Sequence, residues 1–181
     1  MRKLVIGSVM GTVALFVAWV GVTGEMRVGA SGAARVQGPQ GRAALSVPPA
    51  PTDKAMYIAN SEIQSTWQDL EARQVINRRA MEGGAYSINI RIVKQGDPPR
   101  IHSQSCDVWV VQAGSAVAIT GGELVDVKKN RDNDDAVGSS INGGIEQPLQ
   151  AGDILYVPPG VPHGFKNAKG FRAFLIRFNT K

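Results

Sequence analysis

Residues 152–167 read Gly152-Asp153-Ile154-Leu155-Tyr156-Val157-Pro158-Pro159-Gly160-Val161-Pro162-His163-Gly164-Phe165-Lys166-Asn167. Physically this is a turn, a short apolar strand, a proline–glycine reversal, and a second strand that opens on a histidine. Pro158 and Gly160 impose a sharp reversal, so His163 is expected on a rigid strand and not on a mobile loop.

Outward from this hairpin the two-residue period continues. Val75–Met81, the Glu82-Gly83-Gly84 turn and Ala85–Val93 predict a β-hairpin, with Ile88, Ile90 and Ile92 on one face and Asn89 and Arg91 on the other. Further strands are expected over 100–104, 106–112, 114–120, 123–128, 145–149, 153–158, 162–167 and 171–179, most junctions carrying Gly, Pro or Asn. The 128–143 stretch, with its acids around Asp132 to Asp135, is expected to be a solvated surface loop. A calcium loop of the EF-hand type is excluded because Val137 stands where its glycine would be. One helix is expected at about 61–73: Ser61-Glu62-Ile63-Gln64 matches a capping box, and Ile63, Trp67 and Leu70 follow at helical spacing. Trp67 is expected to pack. Many short strands and one flanking helix predict an all-β sandwich or barrel with a short N-terminal helix.

The composition agrees. With 181 residues, 43% hydrophobic and 19% charged, the chain suits one domain with a tail, and 21 glycines with 6% aromatics favour turn-rich β structure. Arg2, Lys3 and Arg27 against Glu25 place +2 of the formal +5 in the first thirty residues, leaving +3 elsewhere with no basic run, so a nucleic-acid partner is not expected. The single cysteine, Cys106, excludes an internal disulfide and a multi-cysteine zinc site, and is expected to pack. Residues 1–30, with Arg2 and Lys3 before an uncharged run to Val22, predict a secretory signal peptide cleaved after Gly24 or Ala30, or an uncleaved membrane anchor. Either places the remainder outside the cytoplasm, periplasmic or extracellular. Residues 31–55, rich in Ala, Gly and Pro, predict an extended linker without a packing face.

Gly152, Pro158, Gly160, His163 and Asn167 match all five positions of G-x5-P-x-G-x2-H-x3-N, and the 152–167 stretch therefore resembles the second motif of the cupin superfamily. Upstream, His102, Asp107 and Gly114 fall in the register of the first motif, with Asp107 in place of its glutamate and Arg100 in place of its first histidine. The resemblance spans about residues 75–180 and implies a cupin domain over 56–181, a β-sandwich or conical jelly-roll barrel whose functional residues point inward. It implies a divalent transition metal (Fe, Mn, Zn or Ni) at His102, Asp107 and His163, the chain's only histidines lying at two of those positions. Two imidazoles and a carboxylate suit such ions and leave open positions for a substrate or water.

Strand parity adds Arg100, Gln104, Trp109 and Phe165 as candidate ligand contacts. The resulting expectation is an exported cupin-domain protein that binds a small molecule through that metal. Any enzymatic activity implied by the resemblance would be metal-assisted isomerisation, decarboxylation or dioxygenation of a small organic acid. The alternative is a metal-free, non-enzymatic binding module in which Arg100 clamps a carboxylate; if the domain has simply lost its metal, His102 and His163 are hydrogen-bonded core residues and Asp107 pairs with Arg100. Pairing into a homodimer is a further implication of the resemblance.

Overall fold

Antiparallel pairing organises the chain in this computed structural model, which describes residues 47–131 and 135–180. Helix α1 (Asn60–Ala72) precedes β1 (Asn77–Glu82) and β2 (Tyr86–Ile92), which form the expected hairpin. Then follow β3 (Arg100–Ile101), β4 (Ser105–Thr120), β5 (Glu123–Val125), β6 (Lys128–Lys129), β7 (Ala136–Val137), β8 (Ser140–Asn142), β9 (Ile145–Gln150), β10 (Ile154–Val157) and β11 (His163–Asn179). β4 and β11 are the spine of the main sheet. β11 pairs with β4 along its length and also with β2 and β3, while β4 takes β9 and β10 as further partners.

The long strands replace two breaks expected from sequence. The segments 106–112 and 114–120 form one strand, as do 162–167 and 171–179. The expected punctuation survives as bends, because the β4–β11 register shifts between Lys166 and Ala173. Gly114 has φ +72, and a Cβ there would lie 2.3 Å from the Gly170 carbonyl oxygen, so the two strands approach closely only because position 114 lacks a side chain.

The core has two parts. Trp67 and Leu70 of α1 pack on Ile90 and Ile92, with the Phe174 ring tilted against Trp67 at 5.6 Å between centroids, so the isoleucine face of β2 is covered by the helix. Arg172 ties α1 to β11 through a forked ion pair with Glu71, at 2.8 and 3.1 Å from Nη2. The second cluster, including Trp109, Val111, Val157, Phe171 and Leu175, fills the space between the strands. Trp67 packs as expected, and Cys106 is a buried free thiol.

Three local expectations are corrected. The helix starts one residue early: Ala59 is its N-cap and no side chain caps it, so Ser61 lies inside the first turn and Gln64 donates to Asn60 instead. The 128–143 stretch is not a free loop in its described part, because β7 pairs with β3 and β6, and β8 with β5. The end of the expected linker runs along the fold: Ala50 N–H donates to the Glu82 carbonyl (2.7 Å) and Glu82 N–H to the Pro48 carbonyl (3.1 Å). β1 is a sheet edge with backbone groups to satisfy, and these residues satisfy some of them. The leader, 1–30, and the linker up to residue 46 lie outside the described residues, as do residues 132–134. Among the described residues no helix is long and apolar enough to cross a membrane.

Candidate functional site

Register places the site. On β11, Arg177 lies opposite Asp107 of β4 and Ser87 of β2; Leu175 lies opposite Trp109 and Asn89; Ala173 lies opposite Val111 and Arg91. Partners directly across a ladder share a face. Asn89, Arg91, Asp107, Trp109, Leu175 and Arg177 accordingly border one cavity of about 120 Å³. The polar face of β2 therefore turns into the cavity, while its apolar face is covered by α1. Arg100 and His163, paired across β3 and β11, complete the wall with Phe165, which stands edge-on to Trp109 at 4.7 Å.

His102, Asp107 and His163 come together: one donor atom from each lies within 4.8 Å of the others, an arrangement that could hold a metal ion. His163 Nε2 is 3.5 Å and His102 Nε2 is 3.8 Å from Asp107 Oδ2. The hydrogen bonds fix the tautomers. His163 Nδ1 faces the Val161 carbonyl at 3.1 Å and must donate to it, which leaves a lone pair on Nε2, a buried atom with no hydrogen-bond partner. His102 Nδ1 donates to Asp135 Oδ2 at 2.7 Å, and Asp135 Oδ1 also accepts from the Ser103 N–H. Three lone pairs thus converge, the donor chemistry of a divalent transition ion.

A guanidinium uses two of them. Arg177 Nε donates to Asp107 Oδ1 at 2.6 Å, and its Nη2 donates to Asp107 Oδ2 at 2.9 Å and to His102 Nε2 at 2.7 Å. Burial alone pushes the Asp107 carboxyl up, but the bonds and charge of Arg177 hold it well below the usual carboxylate range. Burial, then the Arg177 charge, push His102 below the usual imidazole value.

The cavity is rich in cations. Arg79, Arg91, Arg100 and Arg177 line it against Asp97 and Asp107. Arg91 is buried, 3.7 Å from Asp97 and 5.5 Å over the Trp109 ring, and its Nε has no partner. Burial, then the neighbouring Arg100 charge, lower its pKa to about 10. Arg100 is half-buried, and burial with the Arg177 charge lowers its pKa too. Among the described residues, Arg100 has no salt bridge within 4.0 Å.

Two long antiparallel strands enclose a cavity in which the residues of both motifs converge. The fold is of the cupin type. Among solved structures, the chain is similar to a Bacillus halodurans protein (TM-score 0.46, 12% identity, 73% of this chain and 87% of that one). It is also similar to a cupin 2 conserved barrel domain protein of Salinispora arenicola (TM-score 0.42, 16% identity, 70% and 91% covered). A Klebsiella pneumoniae protein with a double-stranded β-helix domain gives TM-score 0.41 at 20% identity, with 59% and 75% covered. No family model and no curated protein matches the sequence.

Of the other residues expected at the site, Arg100, Trp109 and Phe165 line the cavity and Gln104 does not. Regular pairing at β3 ends with Ile101, so the alternation that carries Arg100 inward does not extend to Gln104. Gln104 is exposed, and its carbonyl accepts from the Thr180 N–H and hydroxyl. The expected pairing of Asp107 with Arg100 is replaced by pairing with Arg177. Sequence reasoning missed Arg177, Arg91 and Asp135. Arg177 was within reach, since it shares parity with Phe171, Ala173 and Leu175 and is the one charge in that set. Asp135 gave no signal, because it joins the site only through the fold-back of β7 onto β3.

Proposed function

We propose that this cupin-type domain binds a small organic acid in its barrel cavity. The observation that carries this reading is Arg100, a half-buried guanidinium without an ion-pair partner among the described residues, beside Arg91 and Arg177. Cations held together in a partly desolvated space disfavour one another, and a carboxylate placed among them would relieve that cost. A guanidinium also presents the forked donors that a planar carboxylate accepts. A cavity of about 120 Å³ exceeds the room for one ordered water and falls short of a drug-sized pocket. Those bounds favour an acid of a few heavy atoms, with Trp109 and Phe165 against its carbon skeleton. Export of the domain, expected from the leader, belongs to the same proposal, and fractionation of cells making the full chain tests it.

Calorimetric titration of the full chain with acetate, glycolate, malonate and succinate tests the binding. At least one acid should bind with millimolar affinity or better, and Arg100→Ala should weaken it at least tenfold, the discrimination of about 1.4 kcal/mol expected from one charge-assisted contact. No heat from any acid, or an unchanged Kd in Arg100→Ala, would remove the reading.

The partnerless Nε2 of His163 favours a second reading, in which His102, Asp107 and His163 hold a divalent transition metal. Such an ion would supply Lewis acidity toward a carboxylate or water in the cavity. Elemental analysis of the full chain purified without chelator tests it: metal lost in His163→Ala supports it, and no metal after reconstitution with Fe, Mn, Zn and Ni refutes it.

A further inference from the structure

We infer that Arg177 and a divalent metal are mutually exclusive occupants of the His102–Asp107–His163 site, so that Arg177 is a built-in competitor that sets the metal affinity. The inference rests on the second reading above. A metal needs the lone pair of His102 Nε2, at least one Asp107 oxygen and the lone pair of His163 Nε2. Arg177 Nη2 donates to the first at 2.7 Å and to Asp107 Oδ2 at 2.9 Å, while Nε holds Oδ1 at 2.6 Å. A guanidinium is positive and carries only hydrogen-bond donors, so it cannot join a coordination shell and repels the ion that would replace it.

The competition is built into the strands. Arg177 of β11 stands directly across from Asp107 of β4, so the guanidinium is delivered to the carboxylate by the ladder itself. Its departure is open, because the side chain is 26% exposed and borders the cavity, whereas the Asp107 side chain is 1% exposed and stays. Metal entry therefore costs the three Arg177 contacts. His163, the donor that Arg177 leaves untouched, keeps its lone pair aimed at the same place. Removal of the guanidinium frees His102 Nε2 and the Asp107 carboxylate, so that all three donors stand open.

The test is titration of the full chain with Co(II), read by its visible ligand-field absorption, for the wild type, Arg177→Met and Arg177→Lys. Methionine keeps an unbranched apolar stem; lysine keeps the charge but loses the fork. Arg177→Met is expected to bind one Co(II) about 100-fold more tightly than the wild type, with Arg177→Lys in between. His163→Ala in the Arg177→Met background should abolish the absorption. Thermal melts establish that each variant is folded, and Arg177→Lys carries the test if Arg177→Met is not. Equal affinity in the wild type and the folded variants would overturn the competition while leaving the metal site standing. No Co(II) bound by the wild type or by any folded variant would overturn both.

Discussion

The Asp107–Arg177 pair makes a quantitative demand on stability. Asp107→Leu strips the partner from a guanidinium in a cavity shared with Arg91 and Arg100, leaving Asp97 as the acid on that wall among the described residues. Breaking a buried ion pair from one side costs about 3–5 kcal/mol. The Arg177 side chain is 26% exposed and can turn toward water, which places this substitution at the low end, about 3 kcal/mol. Arg177→Leu is the harsher change, because Asp107 is 1% exposed and faces two histidine lone pairs; about 4 kcal/mol is expected. Replacing both removes the stranded charge, so the double variant should lie within about 2 kcal/mol of the wild type. The cycle then yields a coupling of about 5 kcal/mol or more, well above the additivity error for distant sites. Urea unfolding followed by tryptophan fluorescence measures it, since Trp109 lies across from Leu175, two residues before Arg177. Coupling below about 0.5 kcal/mol would show that the two side chains do not meet, and the guanidinium's place at the site would fall with it.

Trp67→Ala should cost about 3–5 kcal/mol by opening the contact between α1 and the isoleucine face of β2, measured by the same unfolding assay; a cost below about 1 kcal/mol would mean the helix does not cover that face. Gly114→Ala should cost at least about 2 kcal/mol, since it meets both a left-handed backbone and the Gly170 carbonyl; a melting temperature within a degree of wild type would refute the close approach. Acid should destabilise the domain in two stages. His102 and Asp107 both bind protons less readily when folded, so the stability each contributes is present above its unfolded value, 6.5 or 3.8, and is lost as pH falls through the folded one. Melting temperatures should therefore decline as pH drops below 6.5 and again below about 4; His102→Gln should erase the first decline, and a rise between pH 7 and 5 would contradict the assignment.

The two-residue period revealed most strands, and the Gly152–Asn167 motif revealed the hairpin that carries His163, because local sequence dictates both. Two features stayed hidden for the same reason: they depend on which strand lies beside which. The turn residues near 113 and 168–170 signal an interruption, and only the pairing of β4 with β11 shows that the chain bends there and continues. Arg177 is two parity steps beyond Ala173 on a strand expected from sequence, yet its meeting with Asp107 is set by register across 70 residues. Asp135 is farther still from local inference, reaching His102 through a two-residue strand that no periodicity could announce. The inward turn of Asn89 and Arg91 runs against the ordinary expectation for an amphipathic strand, because α1 covers the apolar side from outside.

That reversal on β2 separates two duties that most strands combine. Ile90 and Ile92 secure the strand from the helix side, while Asn89, which donates to the Leu175 carbonyl, and Arg91, which lies over the Trp109 ring, face the cavity. Changes on the cavity side can then alter charge and hydrogen-bonding pattern while the apolar anchor stays in place. A wall whose apolar anchor lies on the opposite face can be rewritten for a different acid, or for a neutral ligand, which makes the β2 positions the natural ones to randomise when the specificity of this barrel is to be redirected.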